Sequence, residues 1–422
     1  MRRPLYTFLF YLIMPFVFLR LLWRSRRVPE YRKRWAERLG HCPYRLEKSI
    51  WVHAVSVGET LAAVPLIKAL LQEFPQCPLV VTNMTPTGAL RVKAALQETV
   101  KQVYVPYDVP KAVGLFLKRI NPQIAIVMET ELWPNLFASC HERHIPVVVL
   151  NARLSQQSAR GYGYVPHLTR TIFTAIHHLA AQTAMDAERF IKLGLSPEKV
   201  TVTGNLKFDL ELPADLSMRS EMLRNELGKE RPIWIAASTH QGEEEIALAA
   251  HRLILKKYPS ALLILVPRHP DRFAGVASLV KQQGFHVVRR SSSETCSLQT
   301  QVYLGDTMGE LLLLYAAADV AFVAGSFAQV GGHNMLEPAA LRKPIVTGPV
   351  LFNFVEISRM LVKAKGMIIV QNPEALAQEI ERFFANQKYR DFTGGQAYQV
   401  VHANRGALQK QEEIVKAVLK SV

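Results

Sequence analysis

Several short stretches of the chain combine residue types that can do chemistry. Ser-Val-Gly-Glu at 56–59 follows the apolar run WVHAV and opens the helical run LAAVPLIKALL. A carboxylate there can take the proton from an attacking hydroxyl. Glu59 equally suits the first turn of a helix, where acidic residues are favoured without any chemistry. In METELWPN, Glu129 and Glu131 follow the run IAIV. An extended chain puts both carboxylates on one face, a pattern usable in glycoside hydrolysis; pairing with Arg or Lys is the plainer alternative. In the second half, Pro267-Arg268 ends the run LLILV, placing a guanidinium suited to bidentate phosphate or carboxylate binding at a strand end. Met308-Gly309-Glu310 precedes LLLLYAAAD. Gly331 and Gly332 lead into His333, Asn334, Met335, Leu336 and Glu337, before AALRK. Glycines allow close backbone approach, Asn caps a helix, and free N–H groups favour a phosphate. Glu337, one turn on, suits paired ribose hydroxyls. A capped turn or a surface ion pair is the plainer reading of each.

The elements that must position these residues form a rhythm. Short β-branched runs alternate with helical stretches, with strands expected at 51–55, 78–82, 103–106, 124–128, 146–151 and 200–203. The pattern restarts at 233–236, 261–266, 285–288, 301–304, 320–323, 343–347 and 367–370. Runs that do not alternate in polarity fit strands buried on both faces, hence parallel sheets with helices between. Ligands bind beyond the carboxyl ends of such strands, where all the motifs above fall. Two such halves favour a two-substrate enzyme. The chain has 422 residues, 49% hydrophobic and 20% charged, enough for two domains and too apolar for disorder. The expected division is a membrane-associated segment over 1–40, domains over 41–210 and 211–405, and an amphipathic helix over 406–422.

Charge is uneven. The net charge is +16, yet residues 1–38 hold ten basic and two acidic residues, a net of +8. That concentration points to an anionic membrane surface; a nucleic-acid site would carry its basic stripe on the folded body. Residues 4–19 are uncharged and apolar, marginal for a span, with Arg20, Arg24, Arg26, Arg27, Arg32, Lys33, Arg34 and Arg38 behind them. An uncleaved anchor, a helix lying in the interface, a cleaved signal peptide and a helix packed on the body remain alternatives. Cys42, Cys77, Cys140 and Cys296 form no CxxC pair, which excludes a disulfide scaffold. Cys140–His144 lacks HExxH spacing, so a metal role is not expected there.

The ordered set AVSVGE, METELWPN and GSF…GGHNMLEPA…KPIVTGP, with PLYTFLFYLI and YRKRWAERLG, resembles the 3-deoxy-D-manno-octulosonic acid (Kdo) transferase family of lipopolysaccharide synthesis essentially end to end. The resemblance implies a GT-B architecture: two Rossmann-like domains facing across a cleft, the terminal helix crossing back to the first. It implies Kdo transfer from CMP-Kdo to the acylated, bis-phosphorylated lipid A precursor at the cytoplasmic face of the inner membrane. Glu59 would be the proton acceptor; Glu129 and Lys207, the latter in TGNLKFD, would stabilise the transition state. Pro267, Arg268, Met308, Gly309, Glu310, Asn334, Met335, Leu336 and Glu337 would hold CMP. Arg153 in NARLS suits an acceptor phosphate. No Asp-x-Asp pair occurs, and cations with backbone N–H groups can meet leaving-group charge without a metal, so no cofactor is expected. A membrane-associated GT-B enzyme using a UDP-sugar and a lipid acceptor is the runner-up, and a sugar-nucleotide epimerase would share the architecture.

Overall fold

The computed structural model describes every residue except Arg27, Ser293 and Val422; Arg27 of the basic cluster thus lies outside the described residues. The chain divides into two compact units, 1–209 with 405–422, and 210–404. The first is built on a seven-stranded sheet: β1 (Ser49–His53), β2 (Leu79–Asn83), β3 (Lys101–Tyr104), β4 (Pro122–Met128), β5 (Val147–Ala152), β6 (Ile176–Ala181) and β7 (Val200–Val202). The second has β8 (Ile233–Thr239), β9 (Leu262–Pro267), β10 (Val287–Arg289), β11 (Val302–Leu304), β12 (Val320–Val323), β13 (Ile345–Thr347) and β14 (Met367–Ile369). Their orders are β3-β2-β1-β4-β5-β6-β7 and β10-β11-β9-β8-β12-β13-β14, and all neighbours run parallel. Every residue of β1, β2 and β8 is buried, because helices cover both faces. This is the expected α/β architecture of two Rossmann-like units.

One strand escapes the sequence reading. β6 reads IHHLAA, and its apolar run is broken by His177, which is exposed, and His178, which bonds Thr201 Oγ1 on β7 at 3.0 Å. Backbone pairing to β5 and β7 holds it in the sheet despite those histidines.

The amino-terminal helix, Arg3–Arg24, lies along the first unit. Tyr6 Oη donates to Asp108 Oδ2 at 3.0 Å, Thr7 pairs with Asn135 at 3.0 Å, and Arg3 bridges Glu142 at 2.7 Å. Met14 and Leu21 pack with Tyr31 and Tyr107. Leu5, Phe8, Leu12, Phe16, Leu19 and Trp23 are exposed by 51–69%. Internal packing therefore accounts for one stripe of the helix and leaves an opposite apolar stripe uncovered. The carboxyl-terminal helix, Ala407–Ser421, belongs to the first unit as well. Ala407, Val415 and Val418 sit in the same core as Val52, Leu66 and Ile126. The carboxylate of Asp209 accepts from Gly406 N and Leu408 N, each at 2.6 Å, and so caps this helix.

Candidate functional site

The strand order reverses between β1 and β4 in the first sheet and between β8 and β12 in the second. Such a reversal opens a crevice beyond the strand ends. In the first unit Glu59 follows β1 and Glu129 follows β4, so both stand at the reversal.

Glu59 is built in by its own helix end. Ser56 caps the helix Val57–Glu73, its Oγ accepting from Glu59 N at 3.1 Å, while Glu59 Oε2 accepts from Val55 N at 2.8 Å. This reciprocal arrangement is close to a capping box, so the plain structural role is real. It does not account for the electrostatics. Burial pushes the Glu59 carboxyl up to about 7; Glu131 and Glu129 push the same way, against the hydrogen bonds from Ser56 and Val55. A buried carboxylate that changes charge near neutrality suits a general base. It yields a testable limb: if the ionised form is the base, kcat/KM falls about tenfold per pH unit below 7 and levels off above it. A profile flat from pH 5 to 8 would remove Glu59 from that role.

Glu129 holds a left-handed backbone, φ +55°, uncommon for a non-glycine residue and frequent at functional sites. Its Oε1 lies 4.0 Å from Lys207 Nζ, with both side chains partly accessible. Glu131 Oε2 accepts from Trp133 Nε1 at 2.9 Å, and burial raises its pKa. The structure thus gathers Glu59, Glu129, Glu131 and Lys207 at one end of the first sheet. Arg153 is exposed just after β5, its carbonyl accepting from Thr130 Oγ1.

The sequence reading missed what holds Lys207. Asn151, buried and with φ +52°, accepts from Leu206 N at 3.1 Å. Its carbonyl accepts from Gln182 Nε2 at 2.8 Å, and Gln182 Oε1 accepts from Asn205 Nδ2 at 2.9 Å. Asn205 Oδ1 in turn takes Lys207 N at 3.0 Å. Asn151 was visible in NARLS at a strand end; Gln182 was not, because it follows the strand the composition concealed.

In the second unit, Pro267 is the buried last residue of β9, and Arg268 is exposed beside it. The ion pair with Glu244 is made by Arg272, at 2.5 and 3.0 Å, and Arg268 makes no ion pair among the described residues. Asn334 ties its own turn together: Oδ1 accepts from Leu336 N at 3.1 Å and Nδ2 donates to Glu337 Oε1 at 3.0 Å. Burial raises the Glu337 pKa against opposing effects of Asn334 and Arg268. Met335 and Leu336 point into the core, so a ligand would meet them through backbone. The helix that follows is Leu336–Ala340, shorter and earlier than AALRK implied, and Arg342 at φ +56° stops it. Met308 is 58% exposed and Gly309 has φ +84°. Glu310 is occupied by Arg290, at 3.0 and 3.2 Å, and by Thr307, leaving mainly backbone at 308–310. The short helices Leu311–Ala317 and Leu336–Ala340 touch.

Two Rossmann-like units with polar loops at their strand ends form the GT-B architecture, and the family matches make the chain a glycosyltransferase of that class. Residues 230–400 match the family model "Glycosyl transferases group 1", and residues 33–210 match "3-Deoxy-D-manno-octulosonic-acid transferase (kdotransferase)". The chain belongs to the Kdo transferase family. It is 43% identical over 426 residues to 3-deoxy-D-manno-octulosonic acid transferase of Haemophilus influenzae, covering 100% of this chain and 99% of that protein. To the enzyme of the same description from Bordetella pertussis it is 36% identical, covering 86% and 87%. UDP-GlcNAc 2-epimerase from Neisseria meningitidis, solved with UDP-GlcNAc, superposes with a TM-score of 0.56 at 15% identity, covering 89% of this chain and 100% of that one. That likeness concerns the fold alone.

Proposed function

We propose that the enzyme transfers Kdo, with inversion, from CMP-Kdo to the bis-phosphorylated, acylated disaccharide precursor of lipid A. Glu59 is the base, and no metal is required. The observation that carries this reading is the buried Glu59 carboxylate, tuned to about 7 at the strand reversal. The acceptor hydroxyl gives its proton to Glu59 as its oxygen attacks the sugar carbon. The bond to the CMP phosphate breaks with its electron pair, and Lys207 meets the negative charge that develops, held in place by Glu129 and the Asn151–Gln182–Asn205 chain. Incubating the full chain with CMP-Kdo and lipid A precursor, then weighing the products, tests the reaction. Competition by CMP and by UDP separates it from a UDP-sugar transferase. A product lacking the mass of Kdo, with inhibition by UDP alone, would overturn it.

Pro267, Arg268, 308–310 and 334–337 form the donor site in this reading. Arg268 makes no ion pair among the described residues, so its fork is available to the phosphate. Arg268→Ala should raise the CMP-Kdo KM about tenfold or more, since a hydrogen bond to a charged group is worth ~1.5–3 kcal/mol. Arg268→Lys should recover only part of the loss. An unchanged KM in the alanine variant would return Arg268 to the surface.

The uncovered apolar stripe of Arg3–Arg24 supports a monotopic placement at the inner membrane, cytoplasmic side, with the helix in the interface. A cavity of about 620 Å³ beside it is lined by Arg20, Trp23, Arg24, Arg26 and Tyr31 among others, where anionic headgroups fit. Each basic residue near such a surface contributes about 1 kcal/mol, screened by salt. Replacing Arg20, Arg24 and Arg26 together by Gln should let salt strip the protein from anionic vesicles and lower activity on vesicle-embedded acceptor more than on detergent-dispersed acceptor. Salt-resistant binding of that variant would place the membrane surface elsewhere.

A further inference from the structure

The two loops flanking the strand reversal of the second unit each carry a histidine that the reaction above does not use. His240 follows β8, and His333 follows β12 through the turn Gly331–Gly332. Their Nε2 atoms lie 2.8 Å apart, and the rings meet edge to edge, nearly coplanar, with centroids 5.0 Å apart and 7° between planes. At that separation one nitrogen donates and the other accepts, so a single proton bridges the pair. The accepting ring carries its own proton on Nδ1, and the donating ring has a bare Nδ1. Neither Nδ1 has a hydrogen-bond partner among the described residues.

The pair is held from below. Glu243, fully buried, accepts from Gly325 N, Ser326 N and Phe327 N at 2.8–2.9 Å, and from His240 N at 3.0 Å. One carboxylate therefore sets the backbone under both rings. Gly325, with φ +72°, lies against His333; a Cβ there would come within 2.6 Å of the imidazole. Gly332 N donates to Gly325 O at 2.7 Å and closes the turn. The charged and titratable groups facing His333 are Arg268, His240 and His269; those facing His240 are Glu243, His269, Arg272 and Glu244. Burial lowers both imidazoles, His333 to about 4 with Arg268 as the largest charge acting on it, so the pair rests neutral at physiological pH.

An anion placed against Arg268 reverses that balance, because it cancels the guanidinium field and favours a cation beside it. A proton added to the bare Nδ1 leaves the Nε2 bridge intact and shares the positive charge between two rings. We propose that the His240–His333 pair takes up one proton when a nucleotide phosphate binds beside Arg268, and that His333 then hands a proton to the departing phosphate, with His240 as its positioning partner. The inference rests on the donor-site reading given above. The balance is complete. The acceptor oxygen bonds to the sugar carbon and its proton goes to Glu59. The sugar–phosphate bond breaks with both electrons on the phosphate oxygen, which receives the imidazolium proton, and the histidine pair returns to neutrality.

Calorimetry of CMP binding to the full chain near neutral pH, in two buffers of different ionisation enthalpy, counts the protons exchanged. The wild type should take up a substantial fraction of one proton per CMP. His333→Gln and His240→Gln should each lose most of that uptake while still binding CMP, and turnover of His333→Gln should fall about 10²-fold. Uptake unchanged in both variants, or CMP binding to the wild type without uptake, would overturn the histidine proposal alone. A wild type that binds no CMP would instead sink the donor-site reading. Thermal unfolding checks that each variant is folded; if His333→Gln is not, His240→Gln decides, because Glu243 holds residue 240 through its backbone amide.

Discussion

Glu59→Gln should cut turnover by about 10²–10⁴-fold, the usual range for loss of a general base. The amide keeps the volume and can still accept from Val55 N, the bond that the carboxylate makes at 2.8 Å. Ser56 Oγ still takes the residue-59 amide, so the helix cap survives. Structure and stability should therefore change little, and CMP affinity should hold, since Glu59 belongs to the other unit from the donor motifs. The variant should also lose the acid limb near pH 7, because the group that titrates there is gone. Glu59→Asp shortens the side chain by one methylene and should recover part of the rate if the acceptor can approach. Near-normal turnover in Glu59→Gln, with the acid limb retained, would leave Glu59 as a helix cap only.

Lys207→Met should lower kcat by about 10²–10³-fold, the cost of removing one preorganised group aimed at developing charge. Methionine keeps most of the stem, and the backbone at 207 remains pinned by Asn205. Its binding of free CMP should stay within a few-fold of wild type, because the loss falls on the transition state. Lys207→Arg should restore charge but fit poorly, since the planar fork does not replace a compact ammonium. Under the proposed role of Glu129 in orienting the lysine from 4.0 Å, Glu129→Gln should cost less than Lys207→Met. A larger loss in kcat for Glu129→Gln than for Lys207→Met would reverse these roles.

The sheets were legible in the sequence because strands buried on both faces leave uninterrupted apolar runs, as in VVVL at 147–150. β6 was not, because two polar residues at its start mimic a loop and only its neighbours identify it. The motifs at the strand ends were legible one at a time. Their couplings were not: nothing in the spacing of Asn151, Gln182 and Asn205 announces a chain of amides ending at Lys207. Likewise AASTHQGEEE showed a polar loop, but not that Glu243 would collect three amides from residues 325–327 or that His240 would meet His333. Those contacts join segments more than 80 residues apart and exist only once the sheet is ordered. Glu59 shows the opposite case, since one short motif supplies the cap directly and only the perturbing carboxylates come from afar.

The cap that Asp209 places on Ala407–Ser421 bears on how the chain is made. Residues 210–404 amount to an insertion: a contiguous piece of chain spliced into a unit whose first 209 residues wait for their last eighteen. Synthesis passes residues 1–209 and then the whole inserted unit before it reaches the segment that fills the core around Leu66 and Ile126. The first unit therefore stays unfinished until residues 405–422 have emerged, whereas the second can mature before they do. A premature stop shortly after residue 404 would spare the inserted unit and cripple the one that carries Glu59.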